Sequence, residues 1–168
     1  MRHSGLVFKV LAVIAILTLV ATMGGMVYVV KAKLAVNEYT LQLGANFNAA
    51  MMVNATETYT DEDKAVIAEY DGRRVVIVPE NYRQVISCLS RQAAMPLLAF
   101  VDREEALYIS LCGASDLYAQ PDKDGEGFTV EWLLSGKRFV MHTSGGNHWE
   151  RLLQYCLDGA KKSPNIEL

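Results

Sequence analysis

The stretch VLAVIAILTLVATMGGMVYVV, residues 10–30, contains 21 consecutive residues without a charge. A helix of that length spans roughly 31 Å, which is the thickness of the hydrocarbon core of a bilayer. Its apolar residues leave no polar face, so the segment has to be buried on all sides. We therefore predict a transmembrane helix over residues 10–30. A cleaved signal peptide and a buried helix of a soluble protein are the alternatives.

The charge of the chain changes sign just after this stretch. Residues 1–33 carry four basic residues and no acidic residue, whereas residues 34–168 carry 12 basic and 19 acidic residues. The net charges are therefore +4 and −7. This asymmetry argues against a single soluble domain, a polytopic transporter and a basic nucleic-acid-binding protein. We predict a membrane and another protein as partners, and neither nucleic acid nor a cofactor.

The basic residues that flank the apolar stretch predict its orientation. Arg2, Lys9 and the α-amino group precede the stretch, and Lys31 and Lys33 follow it. Short basic tails before a single amino-terminal anchor usually stay in the cytoplasm. We therefore expect a protein of the cell membrane with a cytoplasmic amino terminus and an extracytoplasmic domain.

The rest of the chain is divided by composition. Residues 1–9 form a short basic tail, 31–60 a juxtamembrane helix and connector, 61–158 an α+β domain, and 159–168 a flexible polar tail. Residues 34–53 fit both the alternation of a strand and the stripe of a helix. The preceding segment is helical, and Leu, Ala, Gln and Met favour helix. We therefore predict that the helix continues from the membrane.

The domain itself is predicted to contain an antiparallel sheet of hairpins with helices on one face. The runs AVIAEY and RRVVIV flank the dipeptide Asp71-Gly72, which suits a type I′ turn. A second hairpin turns at Ser135-Gly136. Each hairpin is followed by a segment with one apolar helical face, PENYRQVISCLSRQ in the first case and residues 148–157 in the second.

Two hairpin-then-helix segments also predict a ββα pseudo-repeat. The alternative is that short hairpins followed by helices resemble each other by chance. Further strands are predicted at residues 97–101 and 106–112, and residues 113–127, GASDLYAQPDKDGEG, are predicted to form a loop.

The three cysteines are too few for a disulfide framework. Cys88 and Cys156 lie on predicted helix faces that the pseudo-repeat would make neighbours. In an oxidising compartment these two residues are the predicted disulfide pair. The default expectation is that the thiols are buried and inert, and the disulfide is the alternative.

Catalytic candidates are few. Cys112 ends a predicted strand, and a thiol hydrolase would use it as a thiolate with His142 or His148 as the base. Asp116 is a candidate orienting carboxylate. No signature of a thiol-hydrolase family surrounds Cys112, and the histidines lack the spacing of zinc ligands. We predict no catalytic activity and no metal, and keep the membrane-tethered thiol hydrolase as the alternative function.

Two basic pairs are candidates for binding a partner. Arg73-Arg74 and Lys137-Arg138 each follow a hairpin turn. If the pseudo-repeat holds, they occupy matching strands and form one patch of four positive charges on an acidic domain. Such a patch would meet an acidic partner or anionic headgroups, each charge contributing about 1 kcal/mol near a membrane surface. The alternative is that these residues only solvate the ends of the hairpins.

The amino terminus has the features of a leader followed by an apolar helix. Met1–Gly5 has the outline of a short basic leader that ends in glycine, and an apolar helix follows it. In this respect the chain resembles a type IV pilin, in which the apolar helix runs into a second helix and then a sheet. The family has glutamate at the fifth place after the glycine, where this chain has Val10. The resemblance covers about 30 residues and implies a pilin-like subunit as a second alternative function.

The function that these features favour is a non-enzymatic one. We expect a single-pass anchored protein whose small α+β domain has a binding, sensory or accessory role.

Overall fold

The computed structural model of the chain describes residues 3–54, 65–91, 93–94, 100–143 and 146–158. The chain divides into two compact units, Met1–Leu34 and Ala35–Leu168, and the boundary falls within the first helix. The elements, in chain order, are α1 (His3–Asn54), β1 (Val66–Tyr70), β2 (Arg73–Val76), α2 (Pro79–Leu89), β3 (Ala93–Ala94), β4 (Leu107–Leu111), β5 (Ser115–Pro121), β6 (Phe128–Leu134), β7 (Lys137–Thr143) and α3 (His148–Leu157).

The first unit is helical and apolar. Its side chains are exposed from Phe8 to Lys31, so the apolar run has no protein core to cover it. By length and composition α1 can cross a membrane once. Thr22 donates its hydroxyl to the Leu19 carbonyl at 2.8 Å, so this polar group is satisfied within the helix. The alternative of a core helix buried in a soluble protein is wrong for residues 10–30, because none of them is buried.

The second unit contains the rest of α1, which confirms the predicted helix over residues 34–53. Tyr39, Leu43, Phe47 and Ala50 are each fully buried at steps of four, four and three residues. These steps place the four side chains on one face of the helix. The face packs into the domain: the Tyr39 ring lies edge-on to Trp132 with centroids 5.6 Å apart.

The sheet is antiparallel throughout the described residues. Its strand order is β2-β1-β4-β5-β6-β7-β3, with the two-residue strand β3 at one edge. The two predicted hairpins are confirmed as β1–β2 and β6–β7. Their turn residues, Asp71-Gly72 and Ser135-Gly136, all have positive φ, as a type I′ turn requires.

The prediction of a loop over residues 113–127 is wrong, because β5 occupies Ser115–Pro121. Ser115, Leu117 and Ala119 alternate on the buried face, between the neighbouring strands β4 and β6. The polar residues between them made the segment look like a loop. Of the predicted strand over residues 97–101, positions 97–99 lie outside the described residues, and residues 100–101 are not in a strand.

The helices cover one face of the sheet. The α2 and α3 helices are antiparallel neighbours: the Asn81 side-chain amide, at the start of α2, donates to the Tyr155 carbonyl at 3.0 Å near the end of α3. Trp149 of α3 packs against Phe128 and Tyr70, which point to the same sheet face as Trp132. The ββα order occurs twice, and the pseudo-repeat itself stays a prediction. The predicted tail at 159–168 and the connector at 55–60 lie outside the described residues.

Candidate functional site

The structure does not bring the two predicted basic pairs together. Strand β2 forms one edge of the sheet and β7 lies next to the opposite edge, with four strands between them. At about 4.8 Å per strand the pairs are roughly 24 Å apart. The pairs are Arg73-Arg74 on β2 and Lys137-Arg138 on β7. The expectation of one patch with four charges is therefore corrected to two separate pairs.

The pair on β7 is also neutralised by carboxylates. The Lys137 ammonium group forms an ion pair with Glu38 of α1. The Arg138 Nε group donates to Glu131 Oε1 at 3.0 Å. Both positive charges of this pair are therefore already paired with carboxylates of the same domain.

The residues of the predicted thiol hydrolase are also far apart. Cys112 lies in the turn between β4 and β5, next to the residue pair Leu111–Ser115. His142 is level with Gln120 in the sheet register, five residues along β5 from Ser115. This corresponds to about 17 Å along the strand, in addition to the separation across two strands. The His148 amide donates to a carbonyl of the β5–β6 turn, also at the far end of the sheet. Neither histidine is therefore beside Cys112.

Cys112, Asp116 and His142 each have separate local surroundings. Burial raises the pKa of the Cys112 thiol, which disfavours the thiolate. Asp116 accepts a hydrogen bond from the Tyr108 hydroxyl at 2.8 Å. His142 has its Nδ1 atom 3.7 Å from Asp122 Oδ1 and 3.3 Å from the Thr129 hydroxyl. The proposed orienting carboxylate and base thus each have a different local partner.

The predicted disulfide pair lies on the packed helices α2 and α3. Cys88 and Cys156 are both buried and are free thiols in the structure. Burial raises the pKa of Cys156, and the neighbouring Cys88 raises it further, so the two thiols influence each other. Both residues therefore belong to the α2–α3 interface, and their oxidation to a disulfide stays a prediction.

A buried carboxylate lies on the sheet face opposite the helices and accepts hydrogen bonds from two arginines. Glu131 of β6 is 5% exposed, and its Oε1 atom accepts from Arg103 Nη2 at 3.2 Å and from Arg138 Nε at 3.0 Å. Arg103 also lies over the Tyr118 ring, and Arg138 over the Phe100 ring. We call these five residues the Glu131 cluster. Through Phe100 and Arg103, these contacts hold the segment 100–106 against this sheet face.

The charges of the cluster keep Glu131 ionised. Burial raises the pKa of its carboxyl group, but the hydrogen bonds and the positive charges of Arg138 and Arg103 lower it by more. The net result is a pKa below the ordinary value for glutamate. The carboxylate is therefore stabilised as an anion at neutral pH.

The concave surfaces among the described residues include two clefts and one groove. Two shallow clefts of about 480 and 470 Å³ share Tyr70, Asp71, Glu104 and Ala106 at one edge of the segment 100–106. The third is a groove of about 170 Å³ between α2 and α3, which we call the α2–α3 groove. Its lining includes Ser87 and Cys88 of α2, Arg91 just after α2, and His148, Arg151 and Tyr155 of α3.

Sequence reasoning missed both the Glu131 cluster and the α2–α3 groove. The groove had a local signal, because positions 84, 88 and 91, in and just after α2, and positions 148, 151 and 155 of α3 follow helical spacing. That spacing places each set on one side of its helix. It does not indicate that the two sides face each other, which depends on the packing of the helices.

Comparisons of this chain with protein-family models, with curated protein sequences and with solved structures found no match. The functional interpretation therefore rests on the residues and geometry of the chain itself.

Proposed function

We propose that the chain is a single-pass membrane protein whose α+β domain has a binding, sensory or accessory role without catalysis. The observation that carries the proposal is the character of α1. Its residues 10–30 are apolar and exposed, whereas Tyr39, Leu43 and Phe47 of the same helix are fully buried core residues of the domain. Exposed apolar surface of this extent needs a lipid environment.

The non-catalytic role is supported by the separation of the reactive groups. Cys112 lies at one end of the sheet, and His142 and His148 lie at the other. A nucleophile and its base need to be within hydrogen-bonding reach of each other. The domain instead offers two shallow clefts and the positively charged α2–α3 groove, which are concave surfaces of the kind that bind a partner or ligand. We propose that the domain lies outside the cytoplasm and that its partner is another protein.

The anchor is tested by placing charges in the middle of the apolar run. Arginine at a helix centre costs about 2.5–3.5 kcal/mol of insertion free energy, so Ile16→Arg with Leu17→Arg costs about 5–7 kcal/mol. We expect the full-length wild-type chain to sediment with membranes and to resist alkaline carbonate extraction, and the double variant to lose this behaviour.

The matched control places the same two charges on the same helix but within the domain unit. Leu41→Arg with Met52→Arg changes two side chains that are 74% and 76% exposed. This control should stay in the membrane fraction. Full-length wild-type protein in the soluble pool would refute the anchor, and a wild-type chain that has lost the whole apolar run, residues 10–30, would indicate a cleaved signal peptide.

Orientation and partner need two further measurements. Protease added outside intact cells should remove a carboxy-terminal epitope only if the domain is extracytoplasmic; a protected epitope that is digested after lysis would reverse the orientation. Crosslinking in native membranes followed by mass spectrometry would identify the partner. A partner that is crosslinked reproducibly to the domain supports the binding role, and a domain without protein crosslinks argues against it.

The pilin-like alternative has one supporting observation. The α1 helix is exposed over its first unit and packed on an antiparallel sheet in its second, as the resemblance implies. The two functions differ in the state of the leader. A pilin-like subunit would lose Met1–Gly5, whereas a simple anchor retains it. Amino-terminal sequencing of the membrane-purified chain separates them.

A further inference from the structure

The α2–α3 groove concentrates positive charge on an acidic domain. Arg91, two residues after the end of α2, and Arg151, in the first half of α3, line the same small cavity from opposite sides. Both side chains are exposed, and no ion pair with either guanidinium occurs among the described residues. By contrast, residues 34–168 as a whole carry a net charge of −7.

Cys88 lines the groove together with Arg91 and Arg151. Burial raises the pKa of Cys88, and Arg91 and Arg151 each lower it through their positive charges. Because all three residues line one small cavity, both positive charges face the space beside this sulfur. The two cations therefore converge on the same space, which lies between helices that pack directly against each other.

The rest of the groove adds hydrogen-bond donors and no negative charge. Ser87 and Tyr155 contribute hydroxyl groups, and His148 contributes an imidazole ring with an N–H donor. None of the residues that line the groove is acidic. A lining of cations and neutral polar groups disfavours a metal cation and favours an anion with several acceptor oxygens.

We propose that the α2–α3 groove is a binding site for a phosphate monoester group, held between Arg91 and Arg151. Its volume of about 170 Å³ is below the roughly 300–1,000 Å³ of pockets that enclose a drug-sized ligand, so it accommodates a single functional group. Phosphate presents three terminal oxygens to two guanidiniums, each of which binds such oxygens in a bidentate manner. The site goes beyond the proposed function and does not depend on the anchor.

The site is tested on the full chain in zwitterionic nanodiscs by NMR of the histidine side chains. His148 lines the groove, whereas His142 lies on β7 and is not among the groove residues. Titration with glycerol phosphate should shift the His148 ring resonances in a saturable manner and leave those of His142 unchanged. An equal concentration of chloride should produce no saturable shift.

Three variants assign the binding to the two arginines. Arg91→Gln and Arg151→Gln should each weaken the apparent affinity about tenfold, because a hydrogen bond to a charged group corresponds to roughly a decade in the binding constant. Arg83→Gln removes the same charge from helix α2 outside the groove, and should change the affinity less than twofold.

The source of the phosphate group is decided by a second preparation. Nanodiscs containing phosphatidic acid present the same monoester as a lipid headgroup. A His148 shift with glycerol phosphate in zwitterionic discs identifies a soluble phosphate compound as the ligand. A shift that appears only with phosphatidic acid and is lost in Arg91→Gln identifies a lipid headgroup. Absence of a saturable His148 shift in both preparations, or an equal loss of affinity in Arg83→Gln, overturns the proposal.

Discussion

Replacement of Glu131 by glutamine should destabilise the domain by about 2 kcal/mol at neutral pH. The amide keeps the shape of the side chain and one acceptor oxygen, but it removes the charge that Arg103 and Arg138 share. A hydrogen bond to a charged group contributes about 1.5–3 kcal/mol. We take a value near the lower end for the pair, because the two arginine side chains are 50% and 26% exposed and water solvates them after the change.

The loss should depend on pH in a defined direction. The pKa of Glu131 is lowered in the folded domain relative to its value of 4.5 in the absence of the fold. A group of this kind contributes stability above its unfolded pKa, and the contribution disappears as the pH falls through the folded pKa. The difference between wild type and Glu131→Gln should therefore be constant from pH 6 to 8 and shrink below about pH 4.

Urea unfolding of the full chain in detergent, followed by tryptophan fluorescence, measures this difference. The only two tryptophans, Trp132 and Trp149, are both buried in the domain. With a slope of about 2 kcal/mol per molar urea, the midpoint should fall by about 1 M. Glu104→Gln changes an exposed carboxylate in the same segment and serves as control. A Glu131→Gln midpoint equal to that of the control at pH 7 would refute the reasoning.

Three further outcomes follow from the fold. Tyr39→Phe should stabilise the domain by about 1 kcal/mol in the same urea assay, because the buried Tyr39 hydroxyl has no partner among the described residues; lower stability would contradict this. Phe47→Ala should cost about 3–5 kcal/mol, whereas Leu41→Ala, on the exposed side of α1, should stay within about 0.5 kcal/mol. Cys112 should react with iodoacetamide at neutral pH several-fold more slowly than a free thiol, because burial raises its pKa. Fast labelling of Cys112 alone, measured by peptide mass spectrometry, would instead favour the thiol hydrolase.

The elements that the sequence predicted correctly are those encoded by local patterns. Asp71-Gly72 and Ser135-Gly136 mark their hairpins because the turn itself requires positive φ. β5 was missed because Asp116, Gln120 and Pro121 are poor strand formers. That strand is stabilised by pairing with a neighbour on each side, which is a property of the assembled sheet rather than of the segment.

Site predictions depend on distances that local patterns do not contain. Cys112 and His142 both belong to the sheet, but the register places them at opposite ends. The two basic pairs were expected together because their hairpins look alike, yet β4, β5 and other strands lie between them. Arg103 and Glu131 are 28 residues apart in the chain and meet only because the segment 100–106 crosses the sheet. Long-range topology decided each of these cases.

The burial of Tyr39 has a consequence for the order of events during synthesis. Its ring contacts Phe139, whose position in the chain is 100 residues later. At about 5–20 residues per second, a ribosome needs roughly 5–20 s to synthesise that interval. During this time the apolar face of residues 39–50 has left the ribosome without its strand partners. The strands that are synthesised last are thus the ones that complete the core. The domain therefore folds only after nearly all of it has been synthesised. A chaperone that covers this face has seconds in which to act.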